Sequence, residues 1–330
     1  MVGGLKLDDK KQYDAVSLGE ALIDFIGIGP TKYGMQAFER NPGGAVANAI
    51  VAMSRYKLKT AFLGKVGNDM HGRFLKSTLE EAGVDTSAMI LSDEYFTTLA
   101  FVGLDEEGER SFSFARKPGA DMMLEWSEIS KPILESTKLL HVGSISLTNE
   151  PAKSAQIESV LYAKRHGALI SYDPNYRDSL WSSESEAEQA MRLMLGYADI
   201  VKASEEEILM LAGATDPDKA ADALLEQGAR LVAITLGSKG ALLATKKARA
   251  SHEAYKVDVV DTTGAGDAFL GGLLYKANQA GLDIEGFGED TLAGFAKFAN
   301  ATAAICISRR GAIPSMPTLD DTIAFIEDKE

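Results

Sequence analysis

The chain has 330 residues, 45% hydrophobic and 25% charged, with a net charge of −14. That is enough chain for one large α/β domain or two small ones, and its ordinary globular composition argues against disorder. So acidic a surface repels phosphate backbones and disfavours a nucleic-acid partner, although helix N-termini still hold small anions locally.

Cys306 is the single cysteine, so no intrachain disulfide and no cysteine metal cluster can form, which fits a reducing, cytoplasmic setting. The first twelve residues mix charges (Lys6, Asp8, Asp9, Lys10, Lys11) and lack the apolar core of a signal peptide. No stretch approaches the roughly 18 apolar residues of a membrane span, so no membrane partner is expected.

Residues 13–18 read as a buried strand running into Gly19, 44–56 as a helix and 61–66 as the next strand. Residues 69–82 read as a helix stopped by Gly83. This strand–helix alternation predicts a parallel sheet between helices. The pattern then changes: 95–103 and 110–115 are short strand-like runs around a turn at 105–108, an antiparallel hairpin that suggests a small extra sheet, with 33–41 as a further contributor. From 139 the alternation resumes. Strands are expected at 139–142, 168–173, 199–204 and 231–237, and helices at 149–166, 184–196 and 205–227, the last split near Gly213. A hairpin at 240–256 follows, then a strand at 256–261, and helices at 265–280, 290–307 and 318–328. No repeat or linker interrupts the chain, so one domain over 1–330 with an inserted lid, about 30–42 and 94–120, fits better than two independent domains.

Residues 257–272 read VDVVDTTGAGDAFLGG. Small residues let the backbone approach a ligand, and the N–H groups of the next helical turn point at it with the positive end of the helix dipole behind them. Gly264, Ala265 and Gly266 thus form an anion hole suited to charge on a transferred phosphoryl group. Asp267, one residue beyond, is placed to accept the proton of an attacking hydroxyl. Phosphoryl transfer depends more on positioning and charge stabilisation than on a strong base. Taken alone, the same residues also describe a tight turn with a capping acid. The Walker pattern GxxxxGK[ST] is absent, and so is GxGxxG after the first strand.

DTTGAGDAFLGGLL resembles the C-terminal signature of the ribokinase-like (PfkB) carbohydrate kinases. PGGAVANAIVAMSRYKLKTAFLGKVGND, residues 42–69, resembles their N-terminal signature, and the two lie in the family's order. The resemblance implies a doubly wound, mostly parallel sheet flanked by helices, with a small β-sheet lid over the sugar. It also implies ATP and Mg2+ as cosubstrate and cofactor, possible use of K+, and possible pairing of lids in a homodimer. GEALIDF, FARKPGAD and DPNYRDSLW look closest to bacterial and plant fructokinases, which implies D-fructose as substrate. 2-Keto-3-deoxygluconate kinase, another sugar or nucleoside kinase of the family, and a non-catalytic sugar- or nucleotide-binding regulator remain the alternatives.

The family's roles map onto this chain as follows. Asp24 would hold sugar hydroxyls, as a carboxylate accepting several hydrogen bonds can. Gly43, Gly44 and Asn48 match the sugar-contacting part of the first signature. Arg116, with Lys117 as competitor, would reach the sugar or the incoming phosphate. Arg177 would meet a carboxylate or phosphate, or merely pair with Asp173 or Asp178. Lys202, Ser204 and Glu207 stand where the family has Asn-x-x-Glu, which organises magnesium and phosphates; Ser204 replaces the Asn, and Glu206 is the acid in a shifted register. One Glu acting through water suits magnesium, which uses few protein carboxylates. Thr235, Gly237 and Gly240 resemble the nucleotide turn, and Asn300 lies on the helix that borders the adenine. Asp261 and Thr263, with the carbonyls of Cys306, Arg309 and Gly311, resemble a monovalent-cation site beside the anion hole. Cys306 itself reads as a buried small side chain. His71, His141, His166 and His252 show no ligand spacing.

Overall fold

The computed structural model describes residues 11–104 and 110–329; the turn expected at 105–108 lies outside them. The strands are β1 (Ala15–Leu18), β2 (Leu22–Pro30), β3 (Gln36–Gly43), β4 (Thr60–Leu63), β5 (Lys65–Gly67), β6 (Ile90–Ser92), β7 (Leu99–Leu104), β8 (Arg110–Ala115), β9 (Leu139–Val142), β10 (Leu169–Tyr172), β11 (Ile200–Ser204), β12 (Leu231–Thr235), β13 (Ala241–Ala244) and β14 (Arg249–His252). The helices are α1 (Ala45–Arg55), α2 (Met70–Glu81), α3 (Lys131–Glu135), α4 (Ala152–Arg165), α5 (Glu184–Leu195), α6 (Ile208–Ala212), α7 (Pro217–Glu226), α8 (Ala265–Gln279), α9 (Glu289–Ile307) and α10 (Leu319–Lys329).

Eight strands form the main sheet in the order β14-β13-β12-β11-β10-β9-β1-β4. From β4 to β12 the neighbours are parallel, and β13 and β14 close the far edge antiparallel. Short β-branched and leucine runs suit strands buried on both faces. Along β11 and β12 the side chains alternate between two cores. Ile200 and Leu231 join α1, α2, α8 and α9 on one face, while Val201 and Val232 join α3 to α7 on the other. Each fully buried Leu, Ile or Phe contributes about 1.5–3 kcal/mol. After β1 the chain winds to β4 on one side, then returns to β9 on the other. That reversal opens a crevice beyond the C-terminal ends of β1 and β9, where open α/β sheets bind ligands.

The lid is a second sheet in the order β3-β2-β7-β8. Its longest strand is β2, which lies outside the lid segments expected from the sequence. The alternation of Leu22, Asp24 and Ile26 against Ile23 and Phe25 explains it, since one set turns to the crevice and the other packs towards α2. Two other expectations need correction. The run 61–66 is two strands in different sheets, split at Gly64, where a Cβ would sit 2.6 Å from the Gly19 carbonyl oxygen. The run 256–261 is unpaired extended chain with Val259 and Val260 exposed; the N–H groups of Val260 and Asp261 tie it to the Ile307 carbonyl at the end of α9. Its β-branched residues follow propensity, but no sheet edge is offered to them.

Candidate active site

A cavity of about 210 Å³ opens where the lid leans over the crevice. It is smaller than the roughly 300–1,000 Å³ of drug-sized pockets and suits a single sugar ring. Leu22, Ile26, Val102 and Phe114 of the lid form an apolar wall, and Asp24, Asn48, Asn175, Arg177, Lys202 and Asp267 supply the polar floor. Residues 262–266 complete it at the start of α8.

Gly264 caps α8 in the left-handed region at φ 80°, a conformation that costs a side-chain-bearing residue energy and glycine little. The turn delivers Asp267 in the first helical turn, 7% exposed. Asn48 of α1 donates from Nδ2 to Asp267 Oδ2 at 2.8 Å, and Asn175 donates to Oδ1 at 3.4 Å. Burial, then the charge of Asp173, pushes the Asp267 carboxyl up to about 6; Asn48, Lys202 and Arg177 pull the other way.

Lys202 reaches the same place from β11. Its Nζ is paired with Asp173 at 2.9 Å, and a Cβ on Gly266 would lie 2.9 Å from it. Burial alone would lower the Lys202 pKa, but Asp173, Glu207 and Asp267 outweigh it and the ammonium is held above its usual value. Asp24 lies against Gly43 so closely that a Cβ there would be 2.1 Å from Asp24 Oδ2. Gly44 has φ 105°, and a Cβ on it would be 2.6 Å from the Glu20 carbonyl oxygen. At Gly43 the backbone thus closes on a carboxylate, and at Gly44 it closes on backbone.

Glu207 is buried and Glu206 exposed. Glu207 accepts the N–H groups of Tyr176 and Ser204, each at 2.8 Å. Arg177 lines the cavity and donates to the Tyr176 carbonyl; the salt bridge of Asp173 is made with Lys202.

Arg116 is not among the residues that line the cavity: its side chain is 5% exposed, Nε pairs with Asp121 at 2.8 Å, and the other nitrogens donate to Thr148 Oγ1 and the Ile145 carbonyl. Lys117 is exposed. Phe114, two residues earlier on β8, lines the cavity.

Apart from Thr263, which lines the cavity, the remaining expected residues lie outside it. Thr235 ends β12, Gly237 and Gly240 form a positive-φ turn, and a Cβ on Gly240 would be 2.0 Å from the His252 carbonyl oxygen. Asn300, buried on α9, donates to the carbonyls of His252 and Glu253 and so braces the loop after β14. Asp261 accepts Thr263 N–H and Oγ1–H on one oxygen and Gly311 N–H on the other, joining the loops before α8 and after α9. Cys306 packs beneath them, its thiol pushed up by burial to about 11. The Arg309 side chain pairs outward with Asp321. His141 is buried and held neutral, its pKa lowered by burial to about 4. Among the described residues no group of three or more His, Cys, Asp or Glu could hold a metal.

Sequence reasoning missed Asp173, Asn175, Glu20 and Asp121. Asn175 carried a signal: Asn after Pro tolerates the left-handed backbone it adopts, φ 45°.

The family model described as pfkB family carbohydrate kinase matches residues 12–319. The chain is 42% identical over 323 residues to probable fructokinase-3 of Arabidopsis thaliana, covering 96% of this chain and 92% of that one. Among solved structures it resembles the fructokinase of Xylella fastidiosa with bound ATP, at TM-score 0.86, 32% identity, and 96% and 99% coverage. It also resembles a double mutant of the Vibrio cholerae O395 fructokinase in fructose-, ADP- and potassium-bound form, at TM-score 0.84, 36% identity, and 95% and 98% coverage. The chain belongs to the pfkB family of carbohydrate kinases, phosphotransferases that act on a sugar hydroxyl.

Proposed function

We propose that the chain is an ATP-dependent fructokinase in which Asp267 is the general base. The observation that carries this is the Asp267 carboxylate, buried at the cavity floor on the first turn of α8 and oriented by Asn48 and Asn175. Asp24 and the backbone at Gly43 and Gly44 hold sugar hydroxyls at one end of the cavity, and the lid wall excludes water from the other. Asp267 takes the proton of the attacking hydroxyl as its oxygen bonds to the γ-phosphorus and the bond to the β–γ bridging oxygen breaks. The N–H groups at 264–266, with Lys202 and Arg177, offset the charge on the transferred group.

ATP lies along the turn at 235–240 and the end of α9. Glu207 would order magnesium through water, and the ion, brought by the triphosphate, would neutralise phosphate charge. Asp261, Thr263 and the carbonyls of Cys306, Arg309 and Gly311 would hold a potassium ion, supported by the way Asp261 ties their two loops together. The working compartment is the cytoplasm, consistent with a lone buried cysteine; among the described residues no helix is long and apolar enough to cross a membrane. The lids of two copies pair, supported by the large apolar side chains the lid exposes: Ile28, Tyr33, Met35, Phe38 and Phe101.

The test is ADP release by purified protein with MgATP, with and without potassium, on D-fructose, 2-keto-3-deoxygluconate, ribose, adenosine, glucose and no sugar. Fructose-dependent release is expected. Release with the keto-acid alone would overturn the substrate, and tight binding of ATP and sugar with no release would favour a regulator.

A further inference from the structure

Two of the four segments that join the lid to the main domain are the one entering β7 at Thr98 and the one leaving β8 at Arg116. Both are bound to one buried carboxylate. Thr98 Oγ1 donates to Asp121 Oδ1, and Arg116 Nε pairs with Asp121 Oδ2. Thr98 also accepts Ile23 N–H of β2 on its carbonyl, so β2, β7 and β8 are all tied to this point. The packing leaves no slack: a Cβ on Gly119 would sit 1.9 Å from Thr98 Oγ1 and 2.7 Å from Asp121 Oδ1.

Arg116 spends its remaining donors on the domain side. It bonds Thr148 Oγ1 and the Ile145 carbonyl across the single turn Ile145–Thr148, which follows β9 at the crevice. Ile145 itself lines the cavity, and so does Phe114 on the strand that ends at Arg116. Glu20 stands beside the pair and feels both charges; its Oε1 accepts Ala45 N–H at the start of α1, the helix that carries Asn48. Removing one member of a buried pair leaves the other charge uncompensated, so the arrangement is rigid by construction.

We propose that Asp121 and Arg116 form a buried clamp at the lid root, positioning residues that hold Phe114 and Ile145 in register over the sugar. They touch neither substrate. The inference rests on the sugar-kinase reading of the cavity, and its consequence is a split between substrates. Loosening the clamp disturbs the wall against the sugar and leaves the nucleotide turn at 235–240 untouched.

The test measures Asp121→Asn and Arg116→Lys in the full chain, with Thr98→Val and Thr148→Val as milder variants that each delete one hydroxyl arm. The KM for D-fructose is expected to rise about tenfold in the first two and a few-fold in the valine variants, while the KM for ATP stays within about twofold, on the scale of one lost buried hydrogen bond or more. Amide hydrogen exchange across β7 and β8, measured without sugar, is expected to speed up in every variant that folds. Should the charge variants fail to fold, the valine variants decide. Folded variants with both KM values unchanged, or with both raised together, would overturn the clamp, and so would unchanged exchange in the lid. A wild-type protein inactive on fructose would instead overturn the substrate assignment. The exchange measurement, which needs no substrate, would still judge the clamp.

Discussion

Burial and the charge of Asp173 raise the Asp267 carboxyl to about 6, so the proposed base ionises just below neutrality. Only the ionised form accepts a proton, so kcat/KM should climb with pH through a limb near 6 and level off above it, which a pH–rate profile checks. The same shift bears on stability. Between its ordinary value of 3.8 and about 6 the folded chain binds a proton that the unfolded chain has lost, so folding weakens as pH rises through that window. The cost at neutral pH is of the order of 2–3 kcal/mol. Asp267→Asn should therefore raise Tm at pH 7 and lose that gain below about pH 4, where both states are neutral. Thermal unfolding at the two pH values checks it. A residue that costs stability where it sits is common at active sites.

Helix α8 brings the site together, because it packs between α1 and α9 at very short range. A Cβ on Gly271 would meet Ala52 Cβ of α1 at 2.4 Å, and one on Gly272 would meet Thr302 Oγ1 of α9 at 2.5 Å. Gly271→Ala is expected to destabilise by about 1–3 kcal/mol through overpacking. It should also lower kcat by shifting Asn48 relative to Asp267, and Tm with steady-state kinetics checks both. Much of this was legible beforehand. The Gly-rich turn and the helix behind it, Asp69 as a helix start and Gly83 as a stop all follow from local chemistry. What was not legible depended on contacts that local pattern does not report. Asn48 and Asp267 meet across 219 positions, and although Arg116 and Asp121 both lie in FARKPGAD, their pairing is built with Thr98, Ile145 and Thr148 from elsewhere in the chain. The β-branched run 256–261 misled for the complementary reason: propensity was present and a partner strand was not.

At the scale of the molecule, a doubly wound sheet sets the crevice and the lid covers it, so under the proposed lid pairing sugar binding and oligomeric state would share one surface. Phe38 and Phe101 meet edge to face at 5.8 Å on the lid and remain partly exposed. If lids pair, the protein should sediment as a dimer, and Phe101→Glu, which places a charge in that patch, should shift it to monomer and raise the KM for sugar. A wild-type monomer would remove lid pairing while leaving the cavity chemistry intact.

The most direct measurement is the steady-state rate of fructose-dependent ADP release by Asp267→Asn beside the wild type, with sugar and MgATP binding followed by calorimetry. A fall in kcat of at least about 100-fold with both affinities retained is expected of a lost general base. A kcat within about tenfold of wild type would contradict the assignment of Asp267 as the base.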